Sequence, residues 1–160
     1  MPALGADAGA RVRALLPAAA TVANPLDYTA LVWGEVETLR DTIAAVGGDP
    51  GIDHVLVFYD QPRGLEGPVR ASWDAVREGI RAGADASPVP TLVASTLPEL
   101  LDDAAAWEFA CAGVPAVAGL RTGLRCAAAL RRPPGDPARI PSRTASQLSR
   151  TGPSSPCGWS

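Results

Sequence analysis

Seven polar side chains stand where short apolar runs give way to loops, and they are the residues with which this chain could bind a ligand. They are Asn24, Asp27, Tyr28, Asp60, Gln61, Ser95 and Thr96. In an open α/β sheet the carboxyl ends of the strands face the ligand crevice, so polar residues at such ends are candidates for a substrate loop or an interface loop. The hydroxyl groups of Ser95 and Thr96 can either cap a following helix or bind an anion.

The first of these positions belong to the hexapeptide Asn24–Thr29, which reads Asn-Pro-Leu-Asp-Tyr-Thr. Asn and Asp side chains hydrogen-bond their own backbone and fix turns. Pro25 sets one backbone angle and disfavours helix at Asn24. The hexapeptide is therefore either a turn or a site loop, and strand ends in this architecture often serve as both.

The sequence offers few of the groups that enzymes use for covalent catalysis. All 14 basic residues are arginine, which excludes a Walker-type or Schiff-base lysine from this chain. The single histidine, His54, lies at the start of a predicted strand rather than at its carboxyl end, which favours a non-catalytic role. Three cysteines without CxxC spacing do not supply a metal site. We therefore predict no catalytic residue and no metal ligand.

The elements that must position the polar residues alternate between strand and helix patterns. Strands are predicted at 20–23, 52–59, 89–95 and 114–118, and helices at 10–16, 33–46, 68–82, 97–112 and 119–131. The alternation predicts an α/β fold with three layers, a parallel sheet of about four strands with helices on both faces. Four strands are few for such a sheet, and the pattern indicates that a first strand–helix unit is missing.

Apolar residues at helical spacing identify the buried faces of two of these helices. The predicted inward residues are Val36, Leu39, Ile43 and Val46 in one helix, and Val69, Trp73, Val76 and Ile80 in the next. Trp33, Trp73 and Trp107 lie on helix faces, so we predict that they pack in the core rather than form a stacking platform.

Composition and charge bound the domain organisation. Residues 1–9 are predicted to fray, residues 10–131 to form one domain, and residues 132–160, rich in Ser, Pro and Arg, to be a disordered tail. Residues 131–160 hold five Arg and one Asp, a net charge of +4, whereas residues 1–130 hold nine Arg and sixteen acids, a net charge of -7. An acidic folded part argues against nucleic-acid binding. With no signal peptide and no apolar run that could span a bilayer, we expect a cytoplasmic protein that does not bind membranes.

An ordered series of segments resembles a known family. The segments are Asn24–Asp27 (NPLD), Asp49–Val57 (DPGIDHVLV), Val89–Val93 (VPTLV) and Ala112–Ala116 (AGVPA). Together they resemble the second flavodoxin-like domain of NDP-forming acyl-CoA synthetases, the ADP-forming acetate–CoA ligases, which are relatives of succinyl-CoA synthetase. The resemblance covers roughly residues 10–131.

This resemblance implies a ligase that converts acyl-CoA, NDP and phosphate to the acid, CoA and NTP through a phosphohistidine. CoA, ADP or ATP and Mg²⁺ are implied for the complete enzyme, together with a CoA-binding domain, a domain that carries the phosphohistidine, and an ATP-grasp domain. None of these domains is recognisable in the present sequence, and His54 does not match the phosphohistidine. The resemblance therefore implies a fragment that is inactive alone, whose partners are the CoA-binding and ATP-grasp domains or subunits.

A second hypothesis is a stand-alone flavodoxin-like module that binds CoA or a small anion at its strand ends. Under the fragment hypothesis, Asn24, Asp27 and the loop Asp60–Arg63 line an interface with the absent domains. A missing first strand leaves an unpaired sheet edge, and such edges invite association. We therefore also expect homo-oligomers formed through that edge.

Overall fold

The computed structural model describes residues 2–28 and 30–132. Helices and strands alternate over residues 36–130, and one further helix precedes them. The helices are α1 (Ala6–Leu15), α2 (Val36–Gly47), α3 (Gly67–Ala86), α4 (Asp103–Cys111) and α5 (Leu120–Leu130), and the strands are β1 (Val55–Phe58), β2 (Thr91–Ala94) and β3 (Ala116–Val117). Short 3₁₀ turns at Ala30–Val32 and Pro98–Leu100 precede α2 and α4. The predicted tail lies outside the described residues from position 133 onward.

All three strands belong to one parallel sheet in the order β1-β2-β3. Residues Val55 to Phe58 of β1 pair with Thr91 to Ala94 of β2, and the last two residues of β2 pair with β3. The predicted α/β class with a parallel sheet is confirmed. Within the described residues the sheet has three strands instead of the predicted four or so.

The strand predicted at 20–23 is wrong. Residues 21–23 have no regular secondary structure, and the N–H of Ala20 closes a turn by donating to the carbonyl of Pro17 at 2.8 Å. Alanine has a low β-propensity, so this run has little intrinsic preference for a strand. The side chain of Ala20 instead packs with Val12 and Leu16 of α1 in a small separate core.

Helices cover both faces of the sheet. Successive residues of a strand point to opposite faces. Val93 packs in one core with Val76 of α3 and Phe109 of α4. Its neighbour Ala94 faces α5, because a Cβ atom added at Gly123 would lie 2.5 Å from the Cβ of Ala94. The helices that connect the strands thus lie on one face, and α5 lies on the other.

Helices α2 and α3 approach each other closely at two glycines of α3. A Cβ atom added at Gly79 would lie 2.9 Å from the Cβ of Leu39, and one added at Gly83 would lie 2.8 Å from the Cβ of Ile43. Both aliphatic side chains are buried in the main core. The missing glycine side chains therefore allow α2 to pack directly on the backbone of α3.

The amino-terminal helix begins earlier than the sequence predicts. Residues 1–9 were expected to fray, but α1 starts at Ala6. The carboxylate of Asp49 accepts hydrogen bonds from the backbone N–H groups of Gly51 and Gly5, which lower the pKa of Asp49 in that order of importance. This carboxylate ties the start of α1 to the turn that follows α2.

None of the helices in residues 2–28 and 30–132 combines the length and the apolar character needed to cross a lipid bilayer.

Candidate functional site

Four of the predicted site residues come together at the carboxyl ends of two neighbouring strands. Asp60 and Gln61 follow β1, and Ser95 and Thr96 follow β2. Because β1 and β2 are parallel and paired in register, their ends meet at one edge of the sheet. These four residues are called the strand-end group below.

Asp60 and Thr96 join the two loops of the strand-end group. One carboxylate oxygen of Asp60 accepts the backbone N–H of Thr96 at 2.7 Å, and the other accepts the Thr96 hydroxyl at 2.6 Å. The backbone carbonyl of Asp60 accepts the indole N–H of Trp73 at 2.8 Å, which anchors the loop to α3. The carboxylate is thus occupied by two donors from the neighbouring strand end.

Ser95 is fully buried and serves the next connection along the chain. Its hydroxyl donates to the carbonyl of Leu97 at 2.7 Å and accepts the backbone N–H of Gly119 at 3.0 Å. Gly119 has φ 91°, a left-handed conformation that favours glycine, and stands immediately before α5. Ser95 therefore fixes the entry to α5 and does not face solvent as a nucleophile.

Gln61 is buried in a polar network with Arg77 of α3. Its side-chain carbonyl accepts hydrogen bonds from the hydroxyl of Tyr59 and from Arg77 at 2.7 Å. The guanidinium also binds the carboxylates of Asp74 at 2.6 Å and Glu108 at 2.9 Å. The Arg77 side chain is 5% exposed, whereas those of Asp74 and Glu108 are 44% and 42% exposed. The network links the loop after β1 to both α3 and α4.

The sequence reasoning missed Arg77, although a signal for it exists. Arg77 lies four residues after Trp73 and three before Ile80, so helical spacing places it on the inward face of α3. An arginine at an inward position needs acceptors, because burying an unpaired charge is costly. Gln61 and the two carboxylates supply those acceptors.

The other three predicted site residues are placed differently. Asn24 and Asp27 were expected at the end of a strand, and that premise fails because residues 2–23 contain no strand. The Asn24 amide donates to the carbonyl of Pro2 at 2.9 Å. Asn24 also lines an open groove of about 830 Å³ beside α1, which does not include the strand-end group. Tyr28 packs against both hydrophobic cores.

Most polar groups of the strand-end group satisfy one another or the backbone. The Asp60 carboxylate accepts two hydrogen bonds, and the Ser95 hydroxyl donates one and accepts one. Groups bonded in this way hold loops in place. Among the described residues, no group of three or more His, Cys, Asp and Glu side chains could hold a metal ion. His54 immediately precedes β1, at the amino end of the sheet and opposite the strand-end group.

The two hydrogen bonds that the Asp60 carboxylate accepts from Thr96 are called the Asp60 clasp. Variants that remove both bonds or one of them should lose different amounts of stability. Replacing Asp60 by Ala removes both bonds to Thr96, and we expect the free energy of unfolding to fall by about 1–2 kcal/mol. Thr96→Val keeps the backbone bond and loses only the hydroxyl bond, so its effect should be about half as large. Urea unfolding followed by circular dichroism measures both. Equal stability of Asp60→Ala and the wild-type chain would contradict the clasp.

Both tyrosines of the chain have raised pKa values, which predicts a late alkaline titration. Burial, reinforced by the charge of Asp27, raises the pKa of Tyr28 to about 12. Burial also raises the pKa of Tyr59 to about 12, although Arg77 opposes that rise. Since an unfolded tyrosine titrates near pH ~10, folding favours the protonated phenols. This contribution to stability is complete below pH ~10 and is lost as the pH rises toward 12.

Tyrosinate absorbance near 295 nm tests that prediction. The native chain should show little ionisation at pH ~10.5, whereas the chain in denaturant should be more than half ionised there. Half-ionisation near pH ~10 in the native chain would contradict the burial of the two phenols.

Comparison with known proteins gives no family model that matches the chain and no significant match among curated proteins.

Proposed function

We propose that this chain is a flavodoxin-like unit of an NDP-forming acyl-CoA synthetase and that it has no catalytic activity alone. The supporting observation is the position of the segments that resemble the family. Asp49–Val57 leads into β1, Val89–Val93 leads into β2, and Ala112–Ala116 leads into β3. Three segments that were selected by sequence alone therefore precede or enter three consecutive parallel strands.

The free edge of β1 also supports the proposal. β1 is the first strand in the order β1-β2-β3 of the described sheet, so a further strand can add beside it. The family resemblance implies a further strand–helix element, and its strand could pair with the free edge of β1. The CoA-binding and ATP-grasp parts would then be supplied by other domains or subunits.

The strand-end group supports a structural role rather than a reactive one. The hydrogen bonds of Asp60, Gln61 and Ser95 connect β1 and β2 to α3 and α5. In the proposed assembly they hold the loops that face the partner domains. CoA, ADP or ATP and Mg²⁺ would be held by those partners, and no step of the reaction is assigned to a residue of this chain.

Thermal unfolding with candidate ligands separates this proposal from a stand-alone binding module. A ligand present at 100 times its Kd adds about 2.7 kcal/mol, which raises Tm by roughly 5–10 °C for a chain of this size. We expect no such rise with CoA, acetyl-CoA, ADP or phosphate. A rise with CoA or phosphate would favour the binding module over the synthetase unit.

A further inference from the structure

Among the described residues, one uncovered apolar surface lies beside β1, on the face that α5 occupies. Gly123 of α5 packs on Ala94 and lies next to Leu56, so α5 covers β2 on that face. Phe58 points to the same face as Leu56, since the two are two positions apart along the strand. Phe58 is 38% exposed, whereas all four residues of the neighbouring strand β2 are buried.

Leu124 of α5 borders the same surface. Leu120, Leu124, Ala127 and Arg131 follow one another at helical spacing and therefore lie along one side of α5. The last of them, Arg131, forms an ion pair of 3.7 Å with Asp53, which lies two positions before the start of β1. That side of the helix is therefore turned toward β1, and Leu124 on it is 49% exposed. Leu56, Phe58 and Leu124 are called the β1 edge surface below.

The backbone at this edge is also available for pairing. The N–H groups of Val55 and Tyr59 donate to Pro90 and Ala94, toward β2. Since these groups alternate in direction along a strand, Leu56 and Phe58 direct their N–H and C=O groups to the free side of β1. Proteins commonly protect such edges with charge, proline or a bulge. The strand reads Val-Leu-Val-Phe and carries neither a charge nor a proline.

We propose that two copies of the chain associate through the β1 edge surface, with their β1 strands paired antiparallel. A two-fold interface brings the same patch of both subunits together. Two identical edges related by such an axis run in opposite directions. A register centred on Val57 sets Leu56 of one copy opposite Phe58 of the other and makes one continuous sheet of six strands. The paired segment is uncharged, so two acidic chains can meet there without like charges in the ladder.

The size of the surface sets the expected strength. The exposed parts of Phe58 and Leu124 amount to roughly 80 Å² each. Even with the backbone edge, the total area buried falls below ~1,200 Å², which is typical of weak and transient association. We therefore expect a reversible, concentration-dependent dimer. This inference does not depend on the proposed function, because it concerns the purified chain alone.

Sedimentation velocity of the full chain, from about 1 µM to about 200 µM, tests the proposal. The wild-type chain should shift from monomer toward dimer over this range. Phe58→Lys and Leu124→Lys place a charge on the surface and should each raise the dissociation constant at least about tenfold. Val69→Lys is the matched control, since Val69 is 51% exposed on α3, on the other face of the sheet, and should not change the dissociation constant.

Far-UV circular dichroism identifies any variant that fails to fold. If Phe58→Lys fails to fold, Leu124→Lys, which changes an exposed position on a helix, still tests the proposal. If the wild-type chain stays monomeric over the whole concentration range, the proposal is overturned. The edge is then available for pairing with a strand from another polypeptide. A dimer that Val69→Lys weakens as much as Leu124→Lys overturns it as well.

Discussion

Replacing Arg77 by Met should lower the free energy of unfolding by about 2–4 kcal/mol, which corresponds to a fall in Tm of roughly 10 °C. The guanidinium is 5% exposed and binds Gln61, Asp74 and Glu108. The two carboxylates are more than 40% exposed and regain water when the guanidinium is removed. Gln61, which is 2% exposed, loses a charged donor and keeps only the Tyr59 hydroxyl on its carbonyl. The buried amide therefore accounts for most of the expected cost.

Arg81→Met is the matched control for this variant. Arg81 lies one helical turn further along α3 and lines an open groove that Arg77 and Glu108 also line, but its side chain is exposed. We expect its effect to stay within about 0.5 kcal/mol. Arg77→Lys should fall between Met and wild type, because a lysine keeps the charge but loses the planar fork that reaches several acceptors. Equal stability of Arg77→Met and Arg81→Met in urea unfolding would show that the network does not stabilise the fold.

The second large effect is expected at the contact between α2 and α3. Replacing Gly83 by Val should lower the free energy of unfolding by about 2–3 kcal/mol. A Cβ atom there would lie 2.8 Å from the Cβ of Ile43, and a Cβ atom cannot rotate away as the end of a long side chain can. The two helices would have to separate, and that would open the core around Ile43 and Ile80.

Gly9→Ala tests the intrinsic effect of removing a helical glycine. Gly9 lies within α1, and a Cβ atom added there meets nothing within 4 Å. Alanine should therefore raise the stability by about 0.5–1 kcal/mol, through helix propensity alone. In guanidinium unfolding, we expect Gly83→Val to lower the free energy of unfolding and Gly9→Ala to raise it. A Gly83→Val variant as stable as wild type would mean that α2 does not pack on α3 as described.

The sequence was sufficient to predict three of the strands and their parallel direction. The runs at 52–59, 89–95 and 114–118 each contain an observed strand, because β-branched and apolar residues are concentrated there. The observed strands are shorter, with β3 reduced to Ala116–Val117, since pairing ends where a neighbour ends. Residues 20–23 have too low a β-propensity to form a strand, and their apolar side chains pack against α1 instead.

Helical spacing predicted the buried residues of a helix correctly only where a neighbouring element packs against them. Leu39, Ile43, Val76 and Ile80 are buried as predicted. Trp33 and Trp73 pack edge to face at 5.0 Å, also against the main core. Val69 and Trp107 were predicted to point inward and are 51% and 49% exposed. The spacing identifies a stripe along a helix, but the position of the neighbouring element decides how much of that stripe is covered.

The candidate site was predicted in part, for a similar reason. Asp60, Gln61, Ser95 and Thr96 could be placed together because parallel strands end at one edge. Whether they face a ligand or one another depends on distances that no sequence pattern contains. The hydrogen bonds between Asp60 and Thr96 join residues 36 positions apart, and Arg77 binds Gln61 and Glu108 at 16 and 31 positions. Pairings of that kind follow from the fold and not from local spacing.

The proposed function depends on the chain needing partner domains for catalysis, and a turnover assay tests this most directly. Purified chain is incubated with acetyl-CoA, ADP, phosphate and Mg²⁺, and ATP formation is followed, with and without co-expressed polypeptides that carry the CoA-binding, phosphohistidine and ATP-grasp domains. We predict no ATP above the protein-free blank for the chain alone and ATP formation only in the presence of the partners. Acyl-CoA-dependent ATP formation by the chain alone would contradict this account.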